Sequence, residues 1–274
     1  MDAFVKNRSE AELIRLIKHI ALSLSLEIEI ESEAIEEGGI RSYFRILIKK
    51  KNRKKLKRLI SEFGLILTTV LTTQLVEKIF EDRESIALDK EQKRLNIEKT
   101  KIEIENLNKA DENENPEIDI DSLINVLGND GKTIILKSNF YTHLINENRI
   151  YQISAQELNL ENDPVGDEKI VTKNQFKKFI VKEIQLEPKK IEGAEIEIIS
   201  PVFTEGNDNW KGIYNGEPIE FKIGDLDFKQ KVLNRQLSFT TGTKILCDLE
   251  INLVLDKKGE PKIKSRYVND IKMK

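Results

Sequence analysis

Apolar and polar positions along the chain change period several times, and each change marks an element. Leu13, Ile14, Ile17 and Ile20 recur at helical spacing behind Ser9-Glu10-Ala11-Glu12. That tetrapeptide matches a capping box, in which Ser9 satisfies a free amide and Glu12 reaches back, so a short helix is predicted from there. From Leu22 the period falls to two: Leu22, Leu24, Leu26, Ile28 and Ile30 alternate with Ser and Glu, as in a strand with one wet face. Gly38-Gly39 then turns the chain, and residues 42–48 return as the partner strand of a long-looped hairpin. Residues 63–76, FGLILTTVLTTQLV, carry no charge and read as a helix buried against the hairpin or a partner chain. Residues 81–108 lack Gly and Pro, and Leu88, Leu95 and Ile102 recur every seventh position, the seam of a helix able to pair with a copy of itself.

The middle of the chain is less regular. Residues 109–117 are polar and acidic and contain Pro116, which reads as a linker. Beyond it, residues 133–136 suggest a strand, 140–145 a short helix, and Thr172-Lys173-Asn174-Gln175 a second capping box. The C-terminal section is the most regular. Strands are predicted near 195–203, 209–214, 218–223, 243–255 and 261–271, with Asn215-Gly216 and residues 256–259 as hairpin turns. Between the third and fourth, residues 225–234 read as a helix with Leu226, Val232 and Leu233 on its packing face. Three strands, a helix and two strands is the order of an OB-like barrel. The predicted fold class is α+β: an N-terminal β-hairpin with long helices (1–108), the linker (109–117), a small mixed section (118–192) and a five-stranded OB-like β-barrel (193–274).

The segments IISPVF, WKGIYNGEPIEFKIGDLDFKQKVLNRQLSF and GTKILCDLEI resemble the C-terminal module of a family of uncharacterised bacterial proteins, and SNFYTHLIN and KNQFKKFI resemble it more loosely. The resemblance implies a five-stranded barrel behind a divergent half with a hydrophobic segment and a charged helix. It brings no known activity or catalytic residue, and places the chain among accessory-genome proteins of the kind found beside phage-defence genes.

Composition sharpens the picture at a few points. With 39% hydrophobic and 34% charged residues in 274, the chain has long wet faces around modest cores. The start MDAFVKNRSE lacks a basic-then-apolar leader and Cys247 stands alone, so a cytoplasmic protein without a disulfide framework is expected. Net charge is only −3, but its distribution is uneven. Lys49, Lys50, Lys51, Arg53, Lys54, Lys55, Lys57 and Arg58 form a basic collar just before the uncharged run, and the last eighteen residues hold seven Lys or Arg against Glu260 and Asp270.

Catalytic motifs are weak. Gly128-Asn129-Asp130-Gly131-Lys132-Thr133 mimics the end of a phosphate-binding loop, but Val126 stands where that loop needs its first Gly, and the chain is expected to continue as a strand. His19, His143 and Cys247 are far apart in sequence, short of a zinc set or a nucleophile with its base, and are expected to be packing residues. Glu220-Phe221-Lys222 has the E-x-K spacing of some nucleases, which a chain this rich in Glu and Lys meets by chance. No enzyme activity, cofactor, metal or small-molecule substrate is therefore inferred.

Three readings remain. The first is an assembly or interaction protein, a homo-oligomer or the partner of another protein through Phe63, Leu65, Leu67, Leu71, Leu88, Leu95 and Ile102. The second is an effector that meets an anionic membrane with the collar and inserts residues 63–76. The third is a nucleic-acid-binding protein, using the barrel with Trp210, Tyr214, Phe221, Phe239 and Tyr267 near basic residues.

Overall fold

The computed structural model describes residues 1–33, 42–48, 57–74, 119–159, 161–206 and 208–274. They divide into two units: Met1–Lys182 with Lys257–Gly259, and Glu183–Asp256 with Glu260–Lys274. The 81–108 seam, the Gly38-Gly39 turn, the 109–117 linker and residues 49–56 of the collar lie outside the described residues.

The first unit opens with helix α1 (Ala3–Ser23), which starts six residues before the expected box. Asp2 is its cap, accepting from the amides of Phe4 at 2.8 Å and Val5 at 3.3 Å. Ser9 is a buried interior residue whose hydroxyl donates back to the Lys6 carbonyl at 2.9 Å, so it caps nothing. The alternation expected from Leu22 is also reassigned: Leu22 is exposed on the last turn of α1, Leu24 and Leu26 are buried around the turn, and strand β1 begins only at Ile28 (Ile28–Glu33). Antiparallel β2 (Tyr43–Ile48) pairs with it, Ile30 opposite Ile46.

After α2 (Lys57–Ser61) comes α3 (Phe63–Thr72). Its Phe63, Ile66, Val70 and Leu71 enter the same core as Leu16, Ile17, Ile20 and Leu24 of α1. Helix α4 (Ile120–Gly128) and helix α5 (Gly131–Ile145) follow, and α5 packs along α1. The strand expected at 133–136 is thus the first turn of a fifteen-residue helix, joined to the helix expected at 140–145. Asp130 starts it by accepting the Thr133 amide at 2.9 Å. Strands β3 (Gln152–Leu158) and β4 (Pro164–Thr172) form an antiparallel hairpin. A 3-10 helix (Lys173–Phe179) closes the unit behind the predicted capping box, with Gln175 accepting the Thr172 amide at 2.9 Å.

The second unit is a closed barrel of β5 (Lys189–Ser200), β6 (Trp210–Tyr214), β7 (Glu217–Ile223), β8 (Lys244–Leu255) and β9 (Pro261–Met273). Its strand order is β5-β6-β7-β9-β8, closed by β8 on β5. Only β7 and β9 run parallel. Helix α6 (Leu226–Leu233) lies between β7 and β8, which makes the unit OB-like. The β6–β7 turn works because Asn215 and Gly216 both take positive φ, 50° and 83°, as a two-residue hairpin of the favoured twist requires. Inward positions of all five strands form the core, with Trp210, Phe221 and Phe228 as its large members. Leu226, expected on the packing face of α6, is instead 74% exposed, and Phe228 and Val232 face inward.

Candidate functional site

The residues singled out for chemistry are dispersed and occupied. His19 Nε2 lies 2.7 Å from Asp130 Oδ2, joining α1 to the start of α5. Burial pushes the Asp130 carboxyl up, but His19 and the Thr133 amide outweigh it and hold the group below its ordinary range. The Gly131-Lys132-Thr133 run does open a helix, contrary to the expected strand, yet that helix follows α4 and its Thr133 amide already donates to the Asp130 carboxylate. A phosphate there would meet a negative charge in place of free donors. Cys247 is buried on β8 with its thiol 3.3 Å from the Ala194 carbonyl, and burial pushes that thiol up to about 12, which makes it an unreactive packing residue. Among the described residues no group of three or more His, Cys, Asp or Glu is placed to hold a metal ion.

The described part of the uncharged run, residues 63–74, packs inside its own unit. Phe63 and Leu71 are buried, Leu67 is half-buried against the same core, and Leu65 is exposed, at 40%. Leu88, Leu95 and Ile102 lie outside the described residues, as do Lys49, Lys50, Lys51, Arg53, Lys54 and Lys55; Lys57 and Arg58 are placed only as backbone of α2. Ten residues make α3 about 15 Å long, half of a hydrocarbon core of roughly 30 Å. Among the described residues no helix is long and apolar enough to cross a membrane.

What holds the end of α3 has no signature in the sequence. Lys137, on α5, is 1% exposed, and its ammonium donates to the carbonyls of Val70 at 3.0 Å and Thr73 at 3.1 Å. Tyr141, one turn on, donates to the Leu71 carbonyl at 3.0 Å, and the Phe179 ring lies 5.6 Å from the ammonium. The carbonyls that a helix leaves unpaired at its C-terminus are therefore capped in trans by two side chains of a neighbouring helix. Burial lowers Lys137 to about 8.

On the barrel, the five aromatics named from sequence separate. Trp210 and Phe221 are core, 4% and 1% exposed, while Tyr214 and Phe239 pack partly against it. Tyr267 is half-buried and stands beside Lys222 in the parallel β7–β9 register. That places Lys222 and Tyr267 on one outer face with Lys211 and Glu220, which are paired across β6 and β7. Lys211 and Glu220 are 3.7 Å apart and more than half exposed, so their ion pair is weak and open to competition. Arg266 lies against the same strand, 3.5 Å from the Glu220 carbonyl. The unit as a whole is slightly acidic: residues 183–256 and 260–274 hold 13 Lys or Arg against 16 Asp or Glu, so it has no overall basic field. Beside the face, the β5–β6 loop carries an aromatic that sequence reasoning passed over, Phe203, 59% exposed. Its signal was available, since Pro201 ends the strand and leaves Phe203 outside the alternating pattern.

No family model, no curated protein and no solved structure matches the chain. The barrel that the sequence resemblance implied is present, while membership of the bacterial family it pointed to has no match behind it.

Proposed function

We infer that the protein is a non-enzymatic nucleic-acid-binding protein, and that the outer face of β6, β7 and β9 is its contact surface. The observation that carries this reading is the strand order β5-β6-β7-β9-β8 with Lys211, Lys222 and the half-buried Tyr267 on that face and Arg266 close to it. In OB-like barrels the second and third strands and the loops beside them hold oligonucleotides, through cations that track the backbone and rings that take up bases. The assembly reading drew on the uncharged run, of which α3 is packed within its own unit, and on the 81–108 seam, which lies outside the described residues.

The lack of an overall basic field limits the mode of binding. Three cations, neutralising about 0.7 of a counterion each on a single strand, predict a slope near −2 of log affinity against log salt. The test is fluorescence anisotropy of a labelled oligothymidylate and a labelled oligouridylate titrated with full-length protein between about 50 and 200 mM salt. The expected result is binding with that shallow slope, weakened at least about tenfold by the double variant K211E/K222E. Binding that is absent at the low-salt end, or unchanged in the double variant, would reject the face.

A further inference from the structure

A solitary exposed Phe needs no explanation in general, but Phe203 is backed by a stack of rings that reaches into the barrel core. Its ring centroid lies 6.0 Å from Phe239 at 62°. Phe239 in turn meets Trp210 edge-on at 5.4 Å and Phe228 at 6.4 Å. The loop beneath it is also fastened. Lys229 of α6 donates to the carbonyls of Glu205 at 3.3 Å and Gly206 at 2.8 Å, and Thr204 donates to Asp208 at 3.0 Å. At the loop's end Asn209 donates to Glu220 at 3.3 Å, on the outer face of β7. An aromatic held this way loses little conformational freedom when a flat partner settles on it.

We propose that Phe203 is a base-stacking platform at the edge of this face, and that it directs the protein to single-stranded nucleic acid over duplex. The inference rests on the nucleic-acid reading above and narrows it. A duplex keeps its bases stacked on one another and offers no free π-face, whereas a single strand does. Charge near the ring points the same way: Glu205 and Asp208 of the same loop disfavour a phosphate there and leave the uncharged base plane as the group that fits. The phosphates would run toward Lys211 and Lys222.

The experiment compares wild-type full-length protein with F203A, F203W and K211E/K222E on a labelled oligothymidylate and a duplex of equal length. Thermal unfolding checks the barrel's integrity in every variant, and emission of the sole native tryptophan does so in F203A and K211E/K222E. Stacking predicts that F203A weakens the single-strand complex roughly 5- to 150-fold, the span of one stacked base, and leaves duplex affinity unchanged. F203W retains single-strand affinity, and K211E/K222E weakens both ligands. If F203A binds the single strand as wild type does while K211E/K222E does not, the platform is wrong and the face stands. If wild type binds no nucleic acid, both are wrong. Should light scattering show wild type as a dimer and F203A as a monomer, the ring is a contact with a second copy and the proposal is overturned.

Discussion

Lys137 is the residue at which burial and charge conflict most openly. Its ammonium has two carbonyls and a ring face for partners, all neutral, so the cost of removing the charge from water is only partly offset. The folded value is about 8 against an ordinary 10.5. Between those limits the unfolded chain holds a proton that the folded chain has released, so stability rises with pH across the window, and the cost is fully present below about pH 8. A displacement of this size corresponds to about 3 kcal/mol. Tyr141 works against the trend only above about pH 10, because burial raises its hydroxyl and the unfolded chain loses that proton first. Urea unfolding followed by helix circular dichroism is thus expected to show a gain of about 2–3 kcal/mol from pH 7 to 10. In K137M the slope disappears, whatever the variant's stability at pH 7. A slope unchanged in K137M would assign the effect to another group.

At the scale of elements, Asp225 shows how one side chain can fix a helix to a strand. One carboxylate oxygen accepts the Phe228 amide at 2.9 Å and starts α6; the other accepts the Ile271 amide of β9 at 3.0 Å. Burial pushes the carboxyl up, but the amides of Ile271, Phe228 and Asp227 hold it below its ordinary range, so its contribution is present above that range and lost as pH falls through the folded value. D225N keeps one acceptor and D225A none, which orders stability as wild type, D225N, D225A, with about 2 kcal/mol lost in the last. Tryptophan emission against urea measures it; equal losses in the two variants would mean that only one of the bonds matters. The helix near 225–234, the Asn215-Gly216 turn and the alternation of β5 to β9 were readable in the sequence, because strands wet on one face declare their period. Helix α5 was unreadable for the opposite reason. Thr133, Ile134, Ile135, Leu136, Lys137 and Ser138 are all buried, so the helix is enclosed around its circumference and shows no period. A β-branched run in such a helix looks like a strand. Nothing in the sequence marks Lys137 as a cap, since only the placement of α3 makes it one. The candidate face was legible as residues but not as a group, because the parallel β7–β9 pairing that brings Lys222 beside Tyr267 is a long-range contact.

The described residues form two cores that share no residue: one gathers α1, α3, α4, α5 and the 3-10 helix, the other the five strands and α6. Each is a cooperative set of interdigitated side chains, so the loss of a large member should weaken its own set. Two signals separate them without labels. The sole tryptophan, Trp210, is buried in the barrel core and reports on that unit alone. Among the described residues the helix signal comes mainly from α1 to α5, because the barrel contributes only the eight residues of α6. Ile66, at 0% exposure on α3, is a suitable probe of the first core. I66A is expected to cost about 2–5 kcal/mol there. Its urea midpoint by circular dichroism should fall while its midpoint by tryptophan emission stays at the wild-type value, and D225A should do the reverse. Coincident shifts in both signals would mean that the two sets unfold as one body. Independence would also give the binding experiments their internal control, since a variant of the helical unit that leaves tryptophan emission intact should leave oligonucleotide affinity intact as well.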